Sequence, residues 1–200
     1  MSDRHSTAHW AGYNARQSTR AVRELCRRAM SLAGPGAGRT AIDLGCGAGR
    51  ETRALLDDGW HVLAIDSEPG TEARLLRTVG GRHPALTVRT CGFENVSELP
   101  GADLVYAGYA LPFQPRPSFE KLWTVIRSAV RPGGRAAVNV FGVHDSWAGD
   151  PTMTFLDGAE ARALADGWEI EHWHEEDAPG PAFSGPKHWH VFDLIARRLA

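Results

Sequence analysis

Apolar residues recur at three- and four-residue steps between positions 15 and 32, a spacing that predicts an amphipathic helix. A glycine- and proline-rich stretch at 34–38 ends this helix. Short apolar runs then alternate with segments of helical period. The helical segments are predicted to end at Gly59, Val79, Val130 and Gly167. The apolar runs predict seven strands, at 40–44, 60–66, 85–90, 102–109, 135–141, 168–174 and 188–196.

Strands that alternate with helices pack into a mainly parallel sheet with helices on both faces. The last two strands follow one another without a helix between them, so one of the two is expected to be antiparallel. The pattern therefore predicts an α/β, doubly wound, mainly parallel seven-stranded sheet with an antiparallel last strand. Residues 1–14 are polar apart from two aromatic side chains and are expected to form an N-terminal arm or lid, while 15–200 form a single domain.

Composition narrows the functional class. Hydrophobic residues make up 42% of the chain and charged residues 23%, which is typical of a globular protein. The 22 basic and 24 acidic side chains give a net charge of −2, so general nucleic-acid binding is disfavoured. Three cysteines without a CxxC pair indicate reduced thiols, and no apolar run is long enough to cross a membrane. We expect a cytoplasmic protein that binds neither nucleic acid nor membrane.

A glycine-rich loop follows the first predicted strand and begins a helix. Glycines at 45, 47 and 49 permit a tight turn and allow a ligand to approach the backbone. Asp66, at the end of the second strand, lies 21 positions after Gly45, about where a ribose-binding carboxylate is expected. In a dinucleotide-binding loop the position taken here by Arg50 would be a glycine, so its bulky side chain argues against a dehydrogenase.

The segment from Asp43 to Arg50 resembles the first motif of class I S-adenosylmethionine-dependent methyltransferases, and segments 102–105 and 130–134 are similar to later motifs of that family. The resemblance implies a Rossmann-like fold and S-adenosylmethionine as the cofactor. It implies that the glycine loop contacts the methionine part of the cofactor and that Asp66 holds the ribose. The cofactor-binding residues it implies are Asp43, Gly45, Cys46, Gly47, Gly49, Asp66, Ser67, Phe93, Glu94 and Ala107.

One position departs from the family pattern. An adenine-binding Asp often follows the third strand, and here that position is Gly92. Phe93 would then pack on the adenine while Glu94 replaces the missing acid. In the alternative interpretation, Phe93 belongs to the core and Glu94 is solvated.

Acceptor-binding residues are expected on loops at the carboxyl ends of the strands. His144 is the best-placed candidate base, with an exposed structural histidine as the alternative. Tyr13 is a second catalytic candidate. The segment 175–190 is expected to be a shaped loop that forms a wall or lid of the pocket, or else an ordinary surface loop. Candidate substrate-binding residues are Tyr13, Tyr109, Phe113, Trp147, His188 and Trp189, each of which also suits a packing role.

Two further groups of side chains receive plainer interpretations. The pairs His172/His174 and His188/His190 have strand spacing, but no third ligand is well spaced, so no metal site is predicted. Arginines between positions 16 and 28 are expected to form a solvated helix face.

The sequence thus favours a methyltransferase that acts on a small aromatic or apolar acceptor, with the methylated atom (O, N, S or C) open. A macromolecule methyltransferase and a non-methylating cyclase or pericyclase are the alternatives. Exposed tryptophans would allow a homodimer.

Overall fold

A computed structural model of the protein describes Gly12, Gln17 and residues 20–183 and 185–200. In this part of the chain eight strands form one sheet, and helices cover both of its faces. The helices are α1 (Glu24–Ala33), α2 (Arg50–Asp57), α3 (Thr71–Val79), α4 (Arg116–Ala129) and α5 (Gly158–Ala163), with a 3-10 helix at Phe93–Asn95. The strands are β1 (Thr40–Leu44), β2 (His61–Asp66), β3 (Leu86–Thr90), β4 (Ala102–Ala107), β5 (Val130–Gly142), β6 (Phe155–Leu156), β7 (Trp168–Ala182) and β8 (Gly185–Arg198).

The strand order is β3-β2-β1-β4-β5-β8-β7, and the two-residue β6 pairs with β5. β8 is antiparallel to both of its neighbours, whereas β1 to β5 run parallel to one another. The predicted fold class is therefore confirmed, with β6 as an additional short strand. The strand order reverses between β1 and β4, and the carboxyl ends of these strands diverge there to leave a crevice.

Apolar runs bury the central strands on both faces. On one face, Phe119, Leu122 and Ile126 of α4 pack against the sheet. On the other, Leu25 of α1 and Leu55 of α2 belong to a second cluster. Two-sided burial explains why the central strands are continuous hydrophobic runs rather than alternating ones.

Several predicted boundaries are wrong. α1 begins at Glu24, and Leu32, predicted on its buried face, is 39% exposed. The strand predicted at 135–141 begins earlier, because β5 starts at Val130 and continues through residues 131–134, with a shift in its register against β4.

The predicted loop at 175–190 is also wrong, because β7 and β8 form a continuous two-stranded ribbon that extends through it. Pro179 and Pro181 lie within β7. β7 is an edge strand, and on such a strand a proline removes no ladder hydrogen bond where its N–H side faces solvent. Of the described helices, none combines the length and the apolar character needed to span a bilayer. The predicted arm at 1–14 lies outside the described residues, apart from Gly12.

A candidate ligand cavity at the carboxyl ends of the parallel strands

A cavity of about 430 Å³ opens in the crevice between β1 and β4. Its lining comes from the carboxyl ends of β1, β2, β3 and β4, and from residues before α1. These residues are Gln17, Arg20, Arg23, Asp43, Gly45, Cys46, Gly47, Ala48, Glu51, Asp66, Ser67, Gly92, Phe93, Glu94, Tyr106, Gly108, Tyr109, Ala110, Phe113 and Gln114. Such a crevice is where open α/β sheets bind ligands.

The glycine loop adopts a backbone conformation that leaves no room for side chains at two of its glycines. Gly45 has φ +73°, and a Cβ added there would lie 2.3 Å from the Cβ of Ala110. Arg74 of α3 donates to the carbonyl of Gly47 at 2.7 Å, which ties the loop to α3. Gly49 does not line the cavity. A Cβ there would lie 2.4 Å from Leu75, so Gly49 allows the loop to pack against α3.

Asp66 joins the end of β2 to the glycine loop. Its Oδ2 accepts a hydrogen bond from the backbone N–H of Gly47 at 2.8 Å, and its Oδ1 accepts one from that of Glu68 at 3.0 Å. A carboxylate offers about four lone-pair sites, so acceptor capacity remains on the side that faces the cavity. A diol or another pair of hydroxyl groups suits this capacity.

Two buried acids lie beneath the loop. Thr52 donates to Asp43 at 2.6 Å, but burial dominates and raises the pKa of Asp43 to about 7. Burial would also raise the pKa of Glu51, but hydrogen bonds and charge from Arg20 lower it overall. Arg20 contacts both oxygens of Glu51 at 2.5 Å. Burial raises the pKa of the Cys46 thiol well above its usual value, so this cysteine is no nucleophile at neutral pH.

Arg20 and Arg23 line the cavity, which corrects the prediction of a solvated arginine face at these two positions. Both precede α1, and the Arg23 guanidinium lies 4.5 Å from the ring centroid of Tyr109. Cationic side chains therefore stand at one end of the cavity.

Two polar atoms at the cavity wall are buried and have no hydrogen-bond partner among the described residues, the hydroxyl of Tyr106 and Oε1 of Gln114. The Gln114 amide is oriented by its Nε2, which donates to the carbonyl of Leu111 at 3.0 Å. An unsatisfied buried acceptor costs about 1–3 kcal/mol. A ligand that donates a hydrogen bond to Gln114 removes this cost, which favours its binding.

Tyr109 and Phe113 form an aromatic wall. Tyr109 has φ +54°, uncommon for a residue with a side chain, and its N–H donates to the side-chain oxygen of Asn139 at 3.2 Å. The two rings belong to an aromatic cluster, Tyr109, Phe113, Phe141, Trp147 and Trp189, which supports the wall from behind.

A buried ammonium group lies within this aromatic cluster. The Lys187 Nζ lies 3.4 Å from the ring centroid of Trp147 and 3.9 Å from that of Trp189, and it donates to Asp145 at 2.5 Å. The ammonium is paired and also lies over aromatic faces, so β8 is anchored to the turn after β5.

The structure brings most of the predicted cofactor residues together, and it divides the predicted substrate residues between the cavity and the aromatic cluster that supports its wall. Asp43, Gly45, Cys46, Gly47, Asp66, Ser67, Phe93 and Glu94 line the cavity, as do Tyr109 and Phe113. Phe93 also packs against the core, as the alternative interpretation expects, and its contact with adenine stays a prediction.

Other predicted residues lie elsewhere. Ala107 is fully buried in the core. Trp147 and Trp189 support the wall without lining the cavity. His144 and His188 bind Asp177 instead, so the structure does not position His144 as a base in this cavity. Tyr13 lies outside the described residues.

The sequence interpretation did not identify Arg20, Arg23, Glu51 or Gln114 as lining residues. One local signal was present, since Glu51 is an acid in the first turn of the helix that the glycine loop begins. Gln114 carried no such signal, because its unpartnered oxygen appears only once the fold is known.

Residues 41–134 match a family model described as a methyltransferase domain. This stretch runs from β1 to the start of β5 and contains the glycine loop and the lining segments after β2, β3 and β4. Among curated proteins, none matches the chain in sequence.

Solved structures share the fold. TehB from Haemophilus influenzae has a TM-score of 0.76 at 16% identity, and the alignment covers 93% of this chain and 65% of TehB. A 1,6-didemethyltoxoflavin-N1-methyltransferase from Burkholderia thailandensis, solved with 1,6-didemethyltoxoflavin and S-adenosylhomocysteine, has a TM-score of 0.69 at 19% identity, covering 95% of this chain and 83% of that one. The N-methyltransferase NodS from Bradyrhizobium japonicum, in complex with S-adenosylhomocysteine, has a TM-score of 0.68 at 15% identity, covering 92% and 86%. At these identities the likeness establishes the fold alone, and the chain spans slightly less than two thirds of TehB.

Proposed function

We propose that the protein transfers a methyl group from S-adenosylmethionine to a small-molecule acceptor, because residues 41–134 match a methyltransferase-domain family model and solved methyltransferases share the fold. The observation that carries the proposal is that one cavity is lined both by a glycine loop with no room for a side chain at Gly45 and by the carboxylate of Asp66 at the end of β2.

The residues present fit this cofactor. A side chain at Gly45 would collide with Ala110, so the glycine lets the loop and the segment after β4 approach each other at the cavity, and Asp66 retains acceptor capacity for ribose hydroxyls. Arg23 contributes positive charge to the same cavity, which suits the carboxylate of a methionine moiety. The half-buried ring of Phe93 offers a flat surface for adenine. Two solved structures with this fold contain S-adenosylhomocysteine, which agrees with this assignment.

Methyl transfer asks the protein mainly for positioning. The bound cofactor supplies an activated methyl group, and the protein contributes orientation, exclusion of water and fixed polar groups. Tyr109 and Phe113 hold an apolar or aromatic acceptor, and the rigid support behind them keeps that surface in place. Gln114 accepts a hydrogen bond from the acceptor. No described histidine lines the cavity, so positioning carries more of the mechanism than a histidine base does.

The size and lining of the cavity favour a small acceptor over a macromolecule. About 430 Å³ is within the usual range for small-molecule pockets and must hold both cofactor and acceptor. The aromatic wall favours a flat or apolar molecule, and the acceptor atom (O, N, S or C) is left open by this geometry.

Calorimetry with S-adenosylmethionine and S-adenosylhomocysteine tests the cofactor assignment. Asp66→Ala is expected to weaken binding by about 1.5–3 kcal/mol, the cost of removing a charged hydrogen-bond partner. Asp103→Ala is the matched control, because Asp103 also accepts a backbone N–H, that of Thr40, but at the amino ends of the strands. Equal affinity in wild type and Asp66→Ala would remove Asp66 from the cofactor site.

Mass spectrometry of products from a panel of aromatic acceptors tests the reaction. A product heavier by one methyl group supports methyl transfer. A product of unchanged mass, formed only when the cofactor is bound, would instead indicate a non-methylating enzyme on this fold.

A further inference from the structure

Outside the cavity, histidines and carboxylates converge on one face of the β7–β8 ribbon. Asp177 pairs directly with His190, and His188 pairs with Pro179 two positions further along. Because side chains alternate along a strand, Glu175, Asp177, His188 and His190 project from the same face. His144, from the turn after β5, stacks on His190 with ring centroids 4.7 Å apart. We refer to these five residues as the ribbon cluster.

Asp177 is the centre of the ribbon cluster. Its Oδ2 lies 2.9 Å from Nδ1 of His144, and its Oδ1 lies 2.6 Å from Nε2 of His188. Two imidazole nitrogens thus approach the two oxygens of one carboxylate. The hydrogen bonds from His188 and His144 lower the pKa of Asp177 to about 2, so it is charged throughout the physiological range.

His190 has a different role, because both of its ring nitrogens are engaged. Nδ1 accepts a hydrogen bond from the backbone N–H of His144 at 3.0 Å, so in the neutral ring Nε2 carries the proton and donates to Glu175 at 3.1 Å. The ring is 2% exposed and lies over Gly142, where an added Cβ would be 2.1 Å from Nδ1. His190 is therefore a fixed support that orients the His144 backbone and ring.

We propose that His144, His188 and Asp177 bind a divalent transition-metal ion of the zinc type, with His190 as a positioning residue. Two imidazoles and a carboxylate are a ligand set that Zn²⁺ accepts, leaving a further position for water. Within the described part of the chain, the ligand atoms of His144 and Asp177 lie within 4.8 Å of one another and of a ligand atom of the supporting His190. His188 adds a third ligand atom, since its Nε2 lies 2.6 Å from the other oxygen of Asp177.

Binding requires the rings of His144 and His188 to move toward a shared ion. Zinc ligands lie about 2.0–2.2 Å from the metal, so the two imidazoles must rotate around an ion placed beside Asp177. Their side chains are 64% and 41% exposed, which leaves them room to do so. The protons now shared with Asp177 move to the opposite ring nitrogens, Nε2 of His144 and Nδ1 of His188, so the ligands bind as neutral imidazoles. The carboxylates of Asp177 and Glu175 provide negative charge for the cation.

The site would link the ribbon to the acceptor wall. His188 and His190 alternate along β8 with Lys187 and Trp189, which project to the opposite face and contact the aromatic cluster. A metal bound by both β8 and the turn after β5 holds that support in place. The proposal does not depend on the proposed methyl transfer, since none of its ligands lines the cavity.

Zinc titration of the chelator-treated full-length protein, followed by calorimetry, tests the proposal, and Co²⁺ provides a visible spectrum that reports the ligand geometry. We expect one equivalent bound with micromolar or tighter affinity. Asp177→Asn, His144→Ala and His188→Ala should each weaken binding by about 10–100-fold or more. These side chains are substantially exposed, so the variants are expected to fold, which circular dichroism checks.

His172→Ala is the matched control, because His172 lies on the same strand but outside the ribbon cluster. It should bind zinc like wild type. Absence of stoichiometric binding would overturn the proposal, as would equal loss of affinity in the control and in Asp177→Asn. Retention of affinity in His188→Ala, with loss in His190→Gln, would overturn the assigned ligand set.

Discussion

Replacing Gly45 by alanine separates a structural role of the glycine loop from a role in binding. At φ +73° an alanine costs about 1–2 kcal/mol in backbone strain. Its Cβ would also lie 2.3 Å from the Cβ of Ala110, whereas ordinary contacts begin near 3.4 Å. The loop or the segment after β4 must therefore move by about 1 Å, and both line the cavity. Displacements of this size at a binding surface are costly.

The matched control is Gly80→Ala. Gly80 has φ +87°, but no atom lies within 4 Å of an added Cβ, so this variant carries the backbone strain without the collision. We expect urea unfolding to show a loss of about 1–2 kcal/mol in Gly80→Ala, with S-adenosylhomocysteine affinity unchanged. Gly45→Ala should lose more stability and bind at least about tenfold more weakly, a difference of about 1.4 kcal/mol or more.

The result that would refute this reasoning is equality of the two variants. If Gly45→Ala unfolds like Gly80→Ala and binds S-adenosylhomocysteine like wild type, the loop tolerates a side chain. S-adenosylhomocysteine would then bind elsewhere than against Gly45.

Two further predictions concern a buried charge and the aromatic wall. Burial raises the pKa of Asp43 from 3.8 to about 7, so between these pH values the folded protein binds a proton that the unfolded chain does not. The free energy of unfolding therefore falls as pH rises through this range, by on the order of 4 kcal/mol in total. Urea unfolding of Asp43→Asn should lack this fall, and an identical pH profile in both proteins would contradict the assignment. Trp189→Ala should raise the KM for the acceptor, because Trp189 supports Tyr109, while calorimetry shows unchanged cofactor affinity. Trp168→Ala, at the other end of the ribbon, is its control, and equal kinetics in the two variants would count against a supporting role.

The parts of the site that the sequence predicts are local in the chain. The glycine loop, the helix that follows it and the spacing to Asp66 lie within 24 consecutive residues, from Asp43 to Asp66. Turn residues and helix periodicity act over such short distances in the sequence, so these features can be predicted without a structure. The capping box of Asp157 and Glu160 at the start of α5 is another local feature of this kind.

The parts that the sequence does not predict depend on pairings between distant segments. The prolines of 179–186 favour a loop by local propensity, but the pairing of β7 with β8 overrides that preference. The unmet acceptor of Gln114 likewise depends on packing around α4. His144 illustrates the difference most clearly. Its position after the fifth strand is predicted correctly, but its partner Asp177 lies 33 residues further on and draws the ring away from the cavity.

The two sides of the cavity differ in this respect, because one is built mainly from residues close together in the sequence and the other from contacts between distant segments. The side proposed for the cofactor is built mainly from one continuous stretch of the chain. Substitutions in this stretch are poorly tolerated, as the collisions of an added Cβ at Gly45 and Gly49 illustrate. The aromatic wall depends on β5 and β8 and on the buried pair of Lys187 and Asp145. Substitutions in the ribbon can therefore reshape the acceptor side while leaving the glycine loop intact. A protein arranged in this way can change its acceptor without rebuilding the part of the fold that holds its cofactor.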